Sequence, residues 1–422
     1  MKKLWQKKTG GKLHPALEVY TVGDDWKLDE FLLPYDLQAS LAHAKMLHKI
    51  GILTQQELAD LTRGLDELRK LHAQGKLTLT IEDEDCHTRI ENELVARVGD
   101  AGKKIHTGRS RNDQVLVALR LLMKDKLGRL VPAVRVLAEQ FRSLAKKYEW
   151  VPLPGYTHTQ QAMLSSLGLW FGAFAEALED DAKLLDAITS HLDQNPLGSA
   201  AGYGVSLPLD REFTARLLGF RKVQNNTIYC QNSRGKFESL TLEGLVQIML
   251  TLSRFAADML FFTSRECDYF IASDAIVTGS SIMPQKRNLD PLEILRGQTT
   301  VLTANHALVR NLTVGLISGY HRDLQLLKKS LLESLLIAEK SVEVVSIVLE
   351  NIQPDIQTIE SKIQPDIFAA DVANDLVQTK GISFRDAYQQ ALQELKGRKI
   401  DLQKNLKSKI SPGAPGNLKF DR

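Results

Sequence analysis

"SLTLEGLVQIMLTLSRFAADMLFFTS", residues 239–264, contains no proline and a single glycine. At 3.6 residues per turn it is apolar on almost every face. A helix of that kind must be covered by protein on most sides. "DLQLLKKSLLESLLIAEKSVEVVSIVLENI", residues 323–352, has the same character. The two stretches predict the core of a helical bundle. One chain offers few partners to cover both, so subunits are expected to share that bundle.

The flanking sequence extends the helical reading. No proline falls between Pro34 and Pro132, between Pro208 and Pro284, or between Pro291 and Pro354. An interior proline costs a helix ~3 kcal/mol, so such gaps suit long helices. Residues 111–148 predict one helix of about ten turns, with Pro132 as a kink. In "TQQELADLTRGLDELRKL", Thr54 and Glu57 form a capping box, and Leu58, Leu61, Leu65 and Leu68 mark one face. Valine, isoleucine and aromatic residues form no alternating strand runs. The expected fold is all-α, in three parts. A more polar N-terminal helical domain spans residues 1–108, a central bundle 109–355, and a small C-terminal helical domain 356–422. The final "SPGAPGNLKFDR" reads as a loose or strapped-down tail.

Composition narrows the class. The 422 residues are 43% hydrophobic and 25% charged, with a net charge of +3. That balance gives no global field for nucleic acid or a membrane surface. Cys86, Cys230 and Cys267 are odd in number and lack a CxxC pair, which argues against a disulfide framework or a zinc site and fits a reducing cytoplasm. The basic opening lacks an apolar core for a signal peptide, and no run of ~18 apolar residues predicts a membrane span.

The chemistry lies in the joints between helices. In "HTGRSRNDQ" (106–114), Ser110 can cap the long helix with Asp113 at its third position. Free N–H groups then lie beside Arg109, Arg111 and Asn112, an arrangement suited to a carboxylate. By itself the motif reads equally as a helix cap with solvated arginines. "LPGYTHTQ" (153–160) presents Thr157 and His158 after a turn and before a new helix, a hydroxyl and an imidazole that can hold an anion and move a proton. "EDEDCHTRIE" (82–91) sets His87 among acids and, taken alone, reads as a solvated helix start. "GSSIMPQKRN" (279–288) is a loop before a helix capped by Asp290, with Pro291 and Glu293 at its first and third positions; Lys286 and Asn288 then flank its N-terminus. Its serine beside a lysine is consistent with a covalent nucleophile or a proton carrier. In "GYHRDLQLLKKS" (319–330), Tyr320, Gln325 and Lys328 sit near one helix entrance, and the last two share a face. Several anion sites without a metal cluster suggest a polycarboxylate substrate and no metal or cofactor.

"GSSIMPQKRN" resembles the signature loop of the fumarase/aspartase superfamily. The set "HTGRSRNDQV", "PGYTHTQ", "NPLGSAAGYG", "GSSIMPQKRN" and "GYHRDLQ" is similar to that of the argininosuccinate lyases, across roughly residues 1 to 400. The resemblance implies a homotetramer with a shared bundle and active sites built from three subunits. It implies cleavage of argininosuccinate to arginine and fumarate by β-elimination. Ser280 then removes the Cβ proton and forms no acyl adduct. His158, oriented by Glu293, serves the leaving guanidinium. Both assignments of acid and base exist for this pair in the family, and Ser280 is expected to be the base, with Lys286 and loop N–H groups stabilising its alkoxide. Ser110, Arg111, Asn112, Thr157, Lys286 and Asn288 correspond to carboxylate-binding residues. Tyr320, Gln325 and Lys328 correspond to those around the arginine part, and His87 to a substrate-contacting histidine.

The chain departs from the family pattern in places. Ser233, Arg234, Gly235 and Lys236 stand where S-D-R-D is usual, resembling a branch with a GRGK-like motif, and Leu289 replaces a proline. "THTQQAMLSS" lacks the familiar A-Q-P, and "LWQKKTGG" replaces the tryptophan-diglycine start. The extra cations are expected to favour a substrate with three carboxylates. Two other functions fit less well: another fumarate-releasing lyase, such as one acting on adenylosuccinate, and a non-catalytic homologue of the lens-protein kind.

Overall fold

The computed structural model describes residues 14–420; the "LWQKKTGG" departure lies outside them. Among the described residues, five helices exceed twenty residues: α1 Arg111–Lys147, α2 Leu167–Leu192, α3 Lys236–Phe262, α4 Asp290–Asn311 and α5 Leu327–Glu350. The expected ten-turn helix is α1, and it carries Pro132 internally. Most of the apolar stretch 239–264 lies in α3. Leu242, Leu245, Ile248, Met249, Leu252, Phe255, Ala256 and Met259 of that helix are wholly buried. By length and composition alone the helical stretch Thr227–Phe262 would pass for a membrane span. Its buried apolar faces mark it as a core helix instead.

The chain divides into two compact units. The first comprises residues up to 130, 184–245 and 302–336. Its helix Gln55–Ala73 begins with the expected capping box: the Glu57 N–H donates to Thr54 Oγ1, and the Thr54 N–H donates to the Glu57 carboxylate. One apolar cluster joins Ala39, Ala42, Val117, Leu121, Leu197 and Phe220.

Beside that cluster lies buried charge. Lys328 Nζ donates to Asp29 Oδ1 at 2.6 Å and lies 2.9 Å from Asp25 Oδ1. Asp29 Oδ2 also accepts the Cys86 N–H at 3.1 Å. His87 Nδ1 lies 2.9 Å from Asp36 Oδ2, both side chains buried. Burial pushes the Asp25 carboxyl up to about 6, and Asp29 adds to the rise while Lys328 opposes it. These pairs tie residues 25–36 to the 86–98 helix and to α5.

The second unit comprises residues 131–183, 246–301 and 337 onward. Its centre is aromatic. Phe141, Trp170, Phe171, Phe174 and Phe255 meet with ring centroids 4.6–6.3 Å apart. Edge-on contacts such as Phe141–Phe255, at 87°, suit the ring quadrupole. A smaller core packs Leu164 with Ile367, Phe368, Val372, Leu376, Ala391 and Leu406. The tail is strapped down: Leu418, Lys419 and Phe420 line a cleft with Arg142, Leu169 and Gly172.

The strands correct the all-helical reading locally. Three two-stranded sheets occur among the described residues. The longest is the hairpin β1 Pro152–Thr157 with β2 Gln160–Ser166. It occupies the joint expected to lead straight into a helix. His158 (φ 52°) and Thr159 (φ 61°) form its two-residue turn, and positive φ at both positions matches the twist of the strands.

The His87–Asp36 pair sets a pH dependence. Burial disfavours the imidazolium, but Asp36, then Asp85 and Asp29, outweigh it and raise the histidine from 6.5 to about 9. A raised folded value means that the pair stabilises fully below pH ~6.5. That contribution fades as pH climbs toward 9. Melting temperature measured from pH 6 to 9.5 should therefore fall for the wild type. Asp36→Asn should melt lower and lose most of that slope; an equally steep slope in the variant would reject the pair as its source.

Candidate active site

The N-terminus of α1 forms as its residues dictate. The Asn112 N–H reaches Ser110 Oγ at 3.3 Å, and the Ser110 N–H reaches Asp113 Oδ1 at 2.9 Å. Ser110, Arg111 and Asn112 are half-buried, so this helix entrance presents a hydroxyl, a guanidinium and an amide. Arg111 Nη2 donates to Thr88 Oγ1 at 2.6 Å, and its Nη1 lies 3.1 Å from Asp85 Oδ2. The solvated helix start expected around His87 is therefore corrected. Asp83, Glu84, Asp85 and His87 are buried. Arg89, Arg111 and Arg322 neutralise these acids.

The 319–330 segment joins the same network. Arg322 Nη2 lies 3.3 Å from Glu84 Oε1 and donates to the Thr21 carbonyl at 3.0 Å. Gln325 Nε2 donates to the carbonyls of Thr21 and Val22. Lys328 is buried on Asp25 and Asp29. Tyr320 is half-buried beneath the Arg234 guanidinium, 4.9 Å from its ring centre. Thus Arg111 and Gln325 are linked through Arg322, which shares Glu84 with the first and the Thr21 carbonyl with the second. Asp29, Cys86 and His87 have ligand atoms within 4.8 Å of one another, a spacing a metal ion could use. Lys328 already occupies Asp29 and Asp36 already occupies His87. Burial, then Asp29, pushes the Cys86 thiol well above its usual range, so the set is committed to internal partners.

The second unit holds the remaining candidates. Ser280 Oγ accepts the N–H groups of Met283 at 3.1 Å and Ile282 at 3.3 Å. The loop is tied at its base, where Thr278 and Asn288 exchange N–H···O bonds of 2.9 Å each way. Arg287 pins its flank to Asp274 at 2.5 Å and to the Ala272 carbonyl at 2.8 Å. Lys286 is exposed on the loop and Asn288 is half-buried at its base. The helix after the loop starts one residue early: the Leu289 carbonyl accepts the first bonds, from Leu292 and Glu293, so Asp290 is the first helical residue and holds Thr278 Oγ1. Thr157, His158 and Glu293 are exposed, and among the described residues no hydrogen bond joins His158 to Glu293.

Several groups carry no signal in the sequence. Asp25, Asp29 and Asp36 belong to no motif, and only their pairing with distant cations reveals them. Asp113 looks like a cap residue, yet its second oxygen accepts the N–H groups of Gly198 and Ala200 at 2.9 Å. That bond docks the "NPLGSAAGYG" loop on the helix entrance. Arg211 also serves that loop, donating to the carbonyls of Leu197, Gln224 and Asn225. Finally, Arg234 is buried and not a solvated cation, whereas Lys236 is exposed.

Known proteins share this architecture. Residues 20–303 match the model of the lyase family. The argininosuccinate lyase of Thermotoga neapolitana is 44% identical over 399 residues, covering 94% of this chain and 99% of the relative. That of Sorangium cellulosum is 42% identical over 420 residues, covering 99% and 97%. Among solved structures, EDDS lyase in complex with formate superposes with a TM-score of 0.80 at 23% identity, over 96% of this chain and 88% of that one. A fumarate lyase from Mesorhizobium gives 0.72 at 16% identity, over 91% and 88%. The last two share the fold; the first two, with nearly complete coverage, place the chain in the argininosuccinate lyase family.

Proposed function

We propose that this chain splits argininosuccinate into L-arginine and fumarate, with Ser280 as the base. The observation that carries the reading is the pair of backbone N–H groups on Ser280 Oγ. A serine becomes a base only if its alkoxide is stabilised. Donors already aimed at the oxygen, with Lys286 on the same loop, lower the cost of that charge. The alkoxide takes the Cβ proton of the succinyl part. The electron pair spreads into the neighbouring carboxylate, then forms the double bond of fumarate as the C–N bond breaks. His158 supplies a proton to the departing guanidino nitrogen, and Glu293 orients it in the assembled site. Ser110, Arg111, Asn112, Thr157, Lys286 and Asn288 hold the carboxylates. Tyr320 and Gln325 face the arginine part. In this reading Lys328 and His87 act from behind, by fixing the acids and the 86–98 helix that form the wall.

The same reading makes the enzyme a cytoplasmic homotetramer with each site drawn from three subunits, and retains the division 1–108, 109–355 and 356–422 as its functional parts. Apolar side chains left exposed on long helices support it: Leu250 on α3, Ile294 and Leu308 on α4, and Ile347 on α5. Three free cysteines, all buried, are consistent with a reducing compartment.

Fumarate absorbance distinguishes the substrates. Argininosuccinate should give product, and adenylosuccinate supplied in parallel should not. Ser280→Ala should lower kcat by ~10² to 10⁴ while substrate still binds; near-normal turnover would reject Ser280 as the base. Oligomer dependence is a separate test. Mixing inactive His158→Ala with inactive Ser280→Ala subunits should restore part of the activity through hybrid tetramers. If mass measurement finds hybrids and every mixture stays inactive, sites are not shared between subunits.

A further inference from the structure

The turn that replaces the usual acidic motif grips the segment leading to Tyr320 at three points. Asn232 Nδ2 donates to Ser318 Oγ at 3.1 Å, and its Oδ1 accepts the Gly319 N–H at 2.9 Å. Gly235, at φ +80°, lies so close to Thr313 that a Cβ there would sit 2.1 Å from the threonine methyl. No side chain can occupy that space without moving the segment. The third point is Arg234. It is buried, its Nε has no hydrogen-bond partner in the structure, and its guanidinium lies 4.9 Å from the Tyr320 ring centre. A desolvated guanidinium on an aromatic face is favourable because the ring quadrupole presents negative charge to it. Below the turn, Glu238 accepts the Gly235 N–H at 2.6 Å and holds it on the first turn of α3.

We infer that Arg234 is a positioning residue for Tyr320: the Asn232–Gly235 turn clamps residues 313–320, and Arg234 fixes the tyrosine ring for the substrate. The inference rests on the proposed role of Tyr320 at the arginine part of argininosuccinate. It assigns the departure from the acidic motif a mechanical role in place of long-range attraction. An aspartate in the place of Arg234 would face the ring with the wrong charge. An arginine in the place of Gly235 would collide with Thr313. The two changes in this motif are therefore coupled to each other and to the segment they hold.

Hydrogen–deuterium exchange across 313–320 and steady-state fumarate release, both on the full chain, test this. Arg234→Met should speed exchange at Gly319 and raise KM by about 3- to 30-fold, leaving kcat within about twofold. Arg234→Lys, which keeps a cation on the ring, should recover part of both. Combining Arg234→Met with Tyr320→Ala should raise KM no further than Tyr320→Ala alone. Unchanged exchange in Arg234→Met, or effects that multiply in the double variant, would overturn the inference. Should Arg234→Met fail to fold, Gly235→Ala serves instead: it should loosen the segment, and Thr313→Ser, which removes the colliding methyl, should restore part of the protection. No restoration would likewise overturn the clamp. If Tyr320→Ala keeps a normal KM while Arg234→Met still loosens the segment, the clamp stands and the substrate role of Tyr320 falls.

Discussion

Buried carboxylates must find cations, and the first compact unit is organised around that requirement. A lone ionised carboxylate in a dry interior costs several kcal/mol, so it either pairs or stays protonated. Asp29 and Asp25 pair with Lys328, Asp36 with His87, and Asp85 with Arg111. These partners come from segments far apart along the chain. Each pair forms only when its own segments meet: residues 25–36 with the 86–98 helix or the start of α5, and the turn before the 86–98 helix with the start of α1. A hydrophobic contact tolerates a slip of one residue. A buried ion pair does not, because the slip would leave two charges unpaired. The network therefore fixes register among elements that carry Arg111, Tyr320 and Gln325.

The second unit handles its chemical groups the opposite way. Ser280 and His158 lie on short, partly exposed excursions from rigid supports. The loop from 279 to 287 is closed at its base by the Thr278–Asn288 bridge and braced by Arg287. Its tip stays clear of the core and supplies its own donors to Ser280. His158 sits at a hairpin turn in a left-handed conformation that costs a non-glycine residue of order 1 kcal/mol. The strands hold it there: Leu164 of β2 is packed into an apolar core, and Gln161 donates to the Lys362 carbonyl at 2.9 Å. Strain at the turn thus persists because the surrounding register leaves no alternative. Rigid bases with exposed tips suit groups that must meet a substrate and move protons.

The long helices were legible because apolar spacing over many turns is a strong local signal, as in α3 and at the Thr54 capping box. The loops proposed to be catalytic were legible through family resemblance, since "GSSIMPQKRN" carries no periodicity of its own. What escaped was long-range. His87 looked like part of a solvated acidic start because its partner Asp36, and the cations Arg111 and Arg322 that pair with the neighbouring acids, are far away in sequence. The hairpin escaped because its strands hold few β-branched residues and its turn lacks the Asn-Gly or Asp-Gly signal. The place of Arg234 escaped because nothing nearby in sequence announces the Tyr320 ring beside it.

The "GRSRNDQ" motif shows how one short stretch serves structure and chemistry together. Its seven residues divide by direction. Arg109, Asp113 and Gln114 turn into the protein and are buried. Arg109 donates to Ser40 Oγ at 2.9 Å, and Asp113 gathers the N–H groups of Ser110, Gly198 and Ala200. Burial alone raises the Asp113 carboxyl, and those three donors pull against the rise. Ser110, Arg111 and Asn112 remain half-buried at the helix entrance. A carboxylate-binding entrance needs its N–H groups held still. Asp113 does so from the buried side, behind the residues proposed to meet the substrate. Asp113 therefore bears on the proposed anion site through the backbone, with its oxygens accepting three N–H groups before any ligand arrives.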